Sequence, residues 1–326
     1  MRAVYYDRQG PADQVLQLGE LPDPEPGPGD VRVRLRYSGI SPGDTKKRAG
    51  YFGSAMTYPR VVPHSDGSGT IDQVGAGVDR SRIGERVWVY NAQSYRPFGT
   101  AADYTVVPEA TAVQLPDSVD ERLGACLGIP GITAHRAVFA DGPVAGRTVL
   151  VQGALGAVGS LAAQLAAWGG ATVITTVRRH TDLTALSGPA AERAVALDHP
   201  DAQQAIRQHA PHGVERIIEV AFSDNISLDT AVAANGAVIA AYATRDPQPR
   251  IDFWPMLFDN LTIRLLGSDD FPSDARIAAA RDLTNAARDG HLTVPIGNPF
   301  ALHEAAAAHD QVDRDNRQRV LLDLHA

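Results

Sequence analysis

The sequence predicts an α/β protein with two parts, a β-rich domain and a doubly wound parallel-sheet domain. Three observations lead to this fold class. Residues 1–115 consist of short alternating or apolar runs separated by Gly, Pro and Asp, which is typical of strands and turns. In residues 147–267, β-branched runs alternate with runs of helical length. Where this alternation begins, three glycines spaced three apart follow an apolar run.

The β-rich part contains a strictly alternating run at residues 31–37, with one apolar face and one face of arginines. We interpret the arginine face as a solvated strand face rather than an anion site. Further strands are predicted at residues 70–74, 86–90 and 104–108, and a rigid Pro-rich loop at residues 22–29. Helical character begins near Glu121.

The second part reads as a repeating strand–helix pattern, which implies a parallel sheet covered by helices on both faces. Its strands are predicted at residues 148–152, 172–177, 194–197, 216–220, 237–241 and 262–266, with helices that include 160–168, 201–209 and 225–234. Two helices, at residues 274–289 and 302–309, and a closing strand at residues 319–324 follow.

Gly153, Gly156 and Gly159 connect the first of these strands to the next helix. Glycine permits a tight turn and a close approach to a pyrophosphate, and the N-terminus of the following helix offers N–H groups and partial positive charge. The spacing is GxxGxxG rather than GxGxxG. It therefore fits either a dinucleotide loop or an ordinary glycine-assisted turn between strand and helix.

The second strand of this part ends in Arg178 and Arg179. In an NAD-binding unit this strand usually ends in an acid that accepts a hydrogen bond from the ribose 2′-hydroxyl. Guanidinium groups form charge-assisted bonds to phosphate, so the pair favours a 2′-phosphate and therefore NADPH. The alternative is a solvated basic pair at a strand end.

Composition excludes several classes of protein. The chain has 326 residues and a formal net charge of −8, which argues against binding to nucleic acid or to a membrane surface. No run approaches 18 apolar residues, and the N-terminal residues lack the apolar core of a signal peptide. The single cysteine, Cys126, forms no internal disulfide and no multi-thiolate zinc site. We expect a soluble cytoplasmic protein.

Seven motifs, spread over nearly the whole chain, resemble those of one branch of the medium-chain dehydrogenase/reductase superfamily. They are residues 38–44 (SGISPGD), 63–69 (PHSDGSG), 74–78 (VGAGV), 84–87 (GERV), 98–104 (FGTAADY), 153–159 (GALGAVG) and 319–322 (RVLL). The branch is that of the zinc-independent, zeta-crystallin-like quinone oxidoreductases. The resemblance implies a GroES-like catalytic domain at residues 1–118, a Rossmann NADPH-binding domain at 119–267 and a return segment at 268–326 that completes the catalytic domain.

The same resemblance implies a set of cofactor-binding residues. Thr133 would lie near the nicotinamide, and Arg319 would reach the cofactor from the return segment. His199 stands where the family has a Tyr that contacts the adenosine phosphate. The remaining members of the set are Gly153, Leu155, Gly156, Ala157, Val158, Gly159, Arg178, Arg179, Val220 and Tyr242.

The zinc-binding members of the superfamily have ligands at three positions that fall on Ser41, Ser65 and Ile129 in this chain. These residues offer no thiolate, imidazole or carboxylate, so we expect no metal. His64, Asp44 and Asp66 lie near these positions in sequence, but they are not expected to retain a transition metal. Without a Lewis acid, alcohol oxidation loses its electrophile, whereas hydride transfer to an electron-poor acceptor does not need one.

Ser41, Asp44 and Tyr51 are the candidate catalytic residues of the substrate cleft. Quinone reductases usually have Asn at the position of Ser41. Asp44 matches an acidic position of the family, and a helix-capping role fits it equally well. Aromatic and polar residues that either line the pocket or pack the core are Tyr51, Phe52, Tyr90, Asn91 and Phe98.

The predicted function is NADPH-dependent, metal-free hydride transfer to a small-molecule acceptor, namely a quinone or a similar electron-poor compound. One alternative is an NADPH-dependent alkenal or enoyl reductase, for which Tyr51 is the first candidate proton donor. Another is a non-catalytic, NADPH-binding or structural protein. The strand at residues 262–266 is predicted at the sheet edge, where pairing with a second copy would give a homodimer.

Overall fold

A computed structural model describes residues 1–51, 55–314 and 317–326 of the chain. Its strands are β1 Arg2–Tyr5, β2 Gln17–Glu20, β3 Asp30–Ile40, β4 Asp66–Val74, β5 Arg86–Val89, β6 Tyr104–Pro108, β7 Ala112–Gln114, β8 Thr148–Val151, β9 Thr172–Val177, β10 Ala194–Ala196, β11 Val214–Glu219, β12 Ala233–Ala241, β13 Thr262–Leu265, β14 Phe300–Ala301 and β15 Val320–Asp323. Its α-helices are α1 Ala12–Val15, α2 Pro42–Ala49, α3 Glu121–Gly124, α4 Ile129–Phe139, α5 Ala157–Trp168, α6 Pro189–Glu192, α7 Ala202–His209, α8 Phe222–Val232, α9 Phe253–Phe258, α10 Ser273–Arg288 and α11 Ala305–Asp313.

The chain separates into two compact units, residues 1–130 with 293–326, and residues 131–292. The sequence placed these limits at 118 and 267 instead. The first difference arises because α3 packs on β3, β4 and β5 of the first unit, so the start of the helical region belongs there. At the other limit, α10 belongs to the second unit, and the chain re-enters the first unit only at residue 293.

The first unit is built around the long strand β3. In its sheet the strands follow the order β14, β15, β3, β4, β5, β7, and β6 also pairs with β3. Val31, Val33 and Leu35 are fully buried, as the alternating pattern predicts. On the opposite face Arg32 pairs with Asp72 in a two-pronged contact, with Nε–Oδ1 3.0 Å and NH2–Oδ2 3.1 Å. Arg32 is therefore used for contacts within the unit, whereas Arg34 on the same face is exposed, as expected for a solvated strand face.

The C-terminal residues complete this sheet. β15 pairs antiparallel with β3, so that Val320 lies opposite Ile40, and β14 pairs parallel with β15. The predicted helix at residues 302–309 is a 3₁₀ turn, Leu302–Glu304, followed by α11. Leu321 and Leu322 are fully buried, so this return strand is part of the core.

The second unit is a parallel sheet with the strand order β10, β9, β8, β11, β12, β13. This order is that of a Rossmann fold, because the chain runs outward from β8 to β10 and then returns to β11 on the other side of β8. β8 forms parallel ladders with β9 and with β11. Its residues Val149, Leu150 and Val151 are fully buried, which is why the strand reads as a continuous apolar run.

Several element boundaries differ from the sequence prediction by one to four residues, and two helices illustrate this. The helix predicted at residues 225–234 is α8, which begins three residues earlier and ends at Val232, and β12 starts directly after it. The helix after the glycine loop begins at Ala157 rather than Ser160 because the last glycine lies inside its first turn. In the part of the chain that is described, no helix is long and apolar enough to cross a membrane.

Candidate functional site

The glycine loop lies between β8 and α5 in the second unit. Gly153 has a φ of +67°, a conformation that an L side chain rarely adopts. A Cβ at Gly159 would collide with the backbone carbonyl oxygen of Gly153, so the helix can pack this close only with glycine there. Gly156 is exposed, immediately precedes α5 and has no side chain that could accept a hydrogen bond from the helix. The N–H groups of Ala157 and Val158, in the first turn, have no acceptor within the helix.

The position of this loop in the sheet favours a ligand. β8 and β11 are adjacent, but the chain leaves them toward opposite sides of the sheet, which opens a crevice at their carboxyl ends. Val220, half-buried, follows β11 and would be 2.8 Å from a Cβ on Gly153. Leu155 is also half-buried in the loop. The arrangement can hold an anion against the N-terminus of α5.

Both arginines at the end of β9 are exposed. The Nε atom of Arg179 lies 3.5 Å from Oδ2 of the buried Asp182, so part of its charge is balanced within the protein. His199 is exposed, and its Nδ1 accepts from the backbone N–H of Asp201. The exposure of the two guanidinium groups leaves them accessible to a phosphate.

Two other predicted cofactor residues lie elsewhere in the second unit. Thr133 is buried in α4, and Tyr242 follows β12, where its N–H donates to the carbonyl of Glu219 at 3.1 Å. Burial, together with the nearby charge of Glu219, raises the pKa of the Tyr242 phenol. Tyr242 thus remains protonated at neutral pH.

In the first unit, Ser41 is the residue that precedes α2. Its N–H donates to Oδ2 of Asp44 at 2.7 Å, and the N–H of Asp44 donates back to the carbonyl of Ser41 at 2.9 Å. The Asp44 carboxylate accepts from the N–H of the residue that precedes the helix, which is one of the two contacts of a capping box, so Asp44 caps the N-terminus of α2. The Ser41 hydroxyl contacts another group.

That group is Asp66, a carboxylate that the sequence analysis did not select as functional. Ser41 Oγ donates to Asp66 Oδ2 at 3.3 Å, and the Ile129 N–H donates to Oδ1 at 2.7 Å. Asp66 is fully buried, and this burial raises its pKa to about 7, although the cation of Arg319 opposes the shift. A carboxyl group with this pKa can hold a proton or release it near neutral pH.

Arg319 lies beside Asp66, inside the first unit. Its side chain is buried, donates to the carbonyl of Ile40 at 3.0 Å, and brings NH2 to 3.8 Å from Asp66 Oδ2. NH2 has no hydrogen-bond partner in the described contacts. Its predicted contact with the cofactor stays a prediction, and the contact present here is electrostatic stabilisation of the Asp66 carboxylate.

The aromatic and polar pocket candidates divide into two groups. Tyr90 is buried in the core, where its ring packs 5.6 Å from that of Trp88, so it does not line a pocket. Asn91, next to it, is also buried and adopts a left-handed φ of 57°. Tyr51 and Phe98 are exposed, and the Lys46 ammonium lies 5.4 Å from the Tyr51 ring centre. Phe52 lies outside the described residues.

Comparison with known proteins assigns the family. The family model of the alcohol dehydrogenase GroES-like domain matches residues 27–117. A quinone oxidoreductase of Rattus norvegicus is 30% identical over 325 residues, which cover 96% of this chain and 94% of that protein. The chain belongs to the quinone oxidoreductase family. It is therefore an oxidoreductase of the medium-chain dehydrogenase/reductase superfamily, as its motifs indicate.

Solved structures share the fold over the whole length. A structure described as an NAD-dependent alcohol dehydrogenase has a TM-score of 0.87 at 25% identity, with 99% of this chain and 100% of that chain covered. A mycobacterial protein solved in complex with NADPH has a TM-score of 0.82 at 24% identity, with 99% of each chain covered. These two relatives carry different nicotinamide cofactors in their descriptions, so the family alone leaves the choice between NADH and NADPH open.

Two of the three positions expected from the resemblance to match zinc ligands contact Asp66. The Ser41 hydroxyl and the Ile129 N–H donate to it, whereas the carbonyl of Ser65 accepts from the N–H of Ala92. His64 is turned away, because its Nδ1 contacts Ser38 Oγ and its Nε2 contacts His309 Nε2, each at 2.8 Å. Within the described ranges no three His, Cys, Asp or Glu side chains are grouped to hold a metal.

We expect Asp66 to make the stability of the protein depend on pH. Its carboxyl group is protonated in the folded state below pH 7, whereas in the unfolded chain it ionises near pH 4. Its contribution to stability is therefore complete below pH 4 and is lost as the pH rises toward 7. Relative to Asp66→Asn, the wild-type melting temperature should fall by roughly 2–4 °C per pH unit in that interval.

The matched control is Asp79→Asn. Asp79 is exposed, and hydrogen bonds from Ser81 lower its pKa, so it is ionised in both states above pH 4. Its effect on the melting temperature should not change between pH 5 and pH 8. If the melting temperatures of the wild type and Asp66→Asn change with pH by the same amount over this range, the pKa of the Asp66 carboxyl group is not raised and the prediction is wrong.

Proposed function

We propose that this protein is an NADPH-dependent reductase that delivers hydride to quinones or similar electron-poor acceptors without a metal. The observation that carries the proposal is the glycine loop at the crevice between β8 and β11, with Arg178 at the end of the adjacent strand β9. Bound NADPH would supply the hydride. The names of the curated relatives, among them the Rattus norvegicus quinone oxidoreductase, support the choice of acceptor.

The residues present fit a dinucleotide. The close contact between the backbones at Gly153 and Gly159 leaves a surface without side chains, and the N-terminus of α5 faces it with unpaired N–H groups. A pyrophosphate would be held there by backbone donors and by the helix dipole. Arg178 and Arg179 would bind the 2′-phosphate through charge-assisted contacts.

The acceptor class follows from the absence of suitable zinc ligands among Ser41, Ser65 and Ile129. A hydroxyl and an aliphatic side chain do not provide the Lewis acid that alcohol chemistry requires. A quinone accepts hydride because it is already electron-poor, and the resulting quinol anion can take its proton from solvent. We accordingly expect activity that needs no metal, in a protein that we place in the cytoplasm.

One observation favours reduction of an activated C=C bond as the second candidate. The enolate left by hydride addition must be protonated on carbon, which requires a positioned proton source. Asp66 holds a proton up to about pH 7, and its Oδ2 lies 3.3 Å from Ser41 Oγ. In the protonated state this contact reverses, so that Asp66 donates to Ser41 Oγ. Ser41 can then give its own hydroxyl proton to the substrate carbon while it takes the proton of Asp66, with Arg319 stabilising the carboxylate that remains. Tyr51, the candidate from the sequence, is 64% exposed, so it lacks the burial that would position it for this role.

The test is steady-state oxidation of NADPH with 1,4-benzoquinone and with 2-hexenal, each in the presence and absence of a chelator. We expect turnover with benzoquinone that the chelator does not reduce. Faster turnover with 2-hexenal would replace the proposed function by the second candidate. Turnover of neither compound by protein that binds NADPH would indicate a non-catalytic protein, and loss of activity to the chelator would contradict metal-free transfer.

We predict that the preference for NADPH over NADH resides in Arg178 and Arg179. A hydrogen bond to a charged group contributes about 1.5–3 kcal/mol, which corresponds to roughly 10- to 100-fold discrimination. The double variant Arg178→Ala/Arg179→Ala should raise KM for NADPH by this factor and leave KM for NADH and kcat nearly unchanged, because the 2′-phosphate is remote from the hydride.

The control is Arg147→Ala. Arg147 is a comparably exposed arginine that precedes β8, at the opposite end of the strand from the glycine loop, and lies 3.8 Å from Glu215. Its loss should alter neither KM. If the double variant keeps the wild-type ratio of kcat/KM for the two cofactors, the arginines are ordinary surface residues.

We also propose that the protein is a homodimer joined at β13, the last strand of the parallel sheet. Large apolar side chains are exposed on and beside this edge: Leu265 on β13 is 75% exposed, and Trp254 and Phe258 on the preceding helix α9 are 65% and 70% exposed. A bare sheet edge flanked by apolar surface favours pairing with a second copy.

Sedimentation at micromolar concentration should give a dimer for the wild type and a monomer for Trp254→Lys/Leu265→Lys. In the dimer, the lysines introduced into each copy would be buried at the symmetric edge, where their charges would lose water and gain no partner. Ile277→Lys, on α10, is the control because Ile277 is 62% exposed and lies outside β13 and α9. It should remain a dimer. A monomeric wild type would refute the proposal.

A further inference from the structure

A buried hydrogen-bond network joins the carboxyl ends of three strands behind the glycine loop. It begins at Gln152, which follows β8, and includes Thr176 on β9, Glu219 at the end of β11 and Asp229 on α8. All four side chains are 0% exposed. Because β8 and β11 flank the crevice, the network lies directly beneath the loop that we assign to the cofactor.

Gln152 is the centre of this network. Its side-chain N–H donates to Asp229 Oδ1 at 2.7 Å, and its side-chain oxygen accepts from the Thr176 hydroxyl. Thr176 Oγ1 in turn accepts from the N–H of Gly153 at 3.3 Å, and the Thr176 carbonyl accepts from the N–H of Ala154 at 3.0 Å. Gln152 therefore connects α8 both to the first residues of the loop and to the strand that ends at Arg178.

Glu219 has the donors that a carboxylate needs. It accepts from the N–H of Ala221 and from the side-chain amide of Asn225, at 3.2 Å and 3.1 Å to its two oxygens. Asp229 differs, because its Oδ2 is buried and meets no donor in the described contacts. Glu219 is close enough for its charge to act on Asp229, and a proton between the two carboxyl groups would give Oδ2 a partner. Two carboxylates can share a hydrogen bond only if one of them carries a proton.

Burial raises the pKa of both carboxyl groups, and the charge of Glu219 raises that of Asp229 well above its usual range. Hydrogen bonds from Asp229, Ala221 and Asn225 oppose the shift at Glu219. The donors thus favour the anion on Glu219 and the proton on Asp229 Oδ2. In that state every buried oxygen of the pair has a partner.

The charged and titratable groups around the pair leave this assignment unchanged. On the neighbouring strand end, Tyr242 faces Glu219 and stays neutral. Asp224, on the first turn of α8, pairs with Arg245 at 2.7 Å. Arg207 on α7 donates to the carbonyl of Ala231. In the described part of the chain, no lysine or arginine forms an ion pair with Glu219 or Asp229.

We propose that Asp229 is a positioning residue whose proton, shared with Glu219, allows Gln152 to hold the glycine loop and the end of β9 in the geometry that binds the cofactor. The inference rests on the proposed function, since it concerns the same NADPH site. When the proton leaves, two buried anions face each other, α8 is driven from β11, and Gln152 loses its acceptor on Asp229. Cofactor affinity and stability should then both fall with rising pH.

The decisive variant is Asp229→Asn, because an amide reproduces the protonated acid. Its oxygen can accept from Gln152 while its N–H group donates to Glu219, and it does not titrate. The quantity to measure is the ratio of two dissociation constants for NADPH, that of the wild type over that of Asp229→Asn. We expect this ratio to rise at least tenfold between pH 6 and pH 9. Using the ratio removes the effect of the titration of NADPH itself.

The melting temperature of the cofactor-free protein provides an independent readout. The folded pair retains a proton that the unfolded chain releases, so stability is lost as the pH rises toward the folded pKa of Asp229. The wild type should lose roughly 2–4 °C per pH unit relative to Asp229→Asn above pH 5. Asp224→Asn, an exposed acid on the same helix, is the control and should show no such trend.

A second variant tests the connection to the loop. Gln152→Met keeps the length of the side chain but removes both hydrogen bonds, and it should raise KM for NADPH at least tenfold with a much smaller change in kcat. Gln164→Met is its control, because the Gln164 side chain donates to the Ser160 carbonyl within α5. Equal effects of the two variants would refute the role of Gln152.

The outcomes separate the two proposals. A wild type that binds no NADPH at any pH would contradict the proposed function. A wild type that binds NADPH, with an affinity ratio and a melting difference that do not change with pH, would contradict the shared proton. Failure of Asp229→Asn to fold would contradict it as well, since the amide satisfies every contact that the protonated acid makes.

Discussion

The parallel pairing of β8 with β9 on one side and with β11 on the other is the constraint on which the candidate site depends. Because parallel strands end at the same edge of a sheet, this pairing brings together the glycine loop, Arg178 and Glu219, which are far apart in the sequence. The full burial of Val149, Leu150 and Val151 fixes the position of the central strand. With this strand fixed, the loop adopts a conformation in which Gly159 packs directly against the backbone of Gly153.

The first unit carries a different kind of constraint. At Ser41 and Ile129, two of the positions expected to match zinc ligands, this chain directs a hydroxyl and a backbone donor toward Asp66. The buried guanidinium of Arg319 compensates part of the cost of burying that carboxylate. The region is thus built to hold a carboxyl group in either protonation state, which is a chemistry that neither Ser41 nor Ile129 offers alone.

The two buried acidic sites differ in the way their charge is managed. Asp66 has a cation nearby and titrates near pH 7, so its proton can be exchanged under ordinary conditions. Asp229 and Glu219 have no cation partner among the described ion pairs, and the proposed shared proton would take its place. A proton that is hard to remove suits a structural support, whereas one that is easily removed suits proton transfer.

The sequence by itself determined the class of fold, the family and the position of the glycine loop. These features depend on local signals, such as the alternation of residues 31–37, the apolar runs of the parallel strands and the spacing of Gly153, Gly156 and Gly159, so they can be read without knowing the tertiary contacts. The sequence could not decide whether Tyr90 lines a pocket or fills the core, nor which of two roles Asp44 has. Only the tertiary structure decided that Asp66 meets Ser41, and that Gln152, Glu219 and Asp229 lie together. Both arrangements depend on side chains that are distant in the chain and on their burial, and neither property leaves a periodic pattern in the sequence.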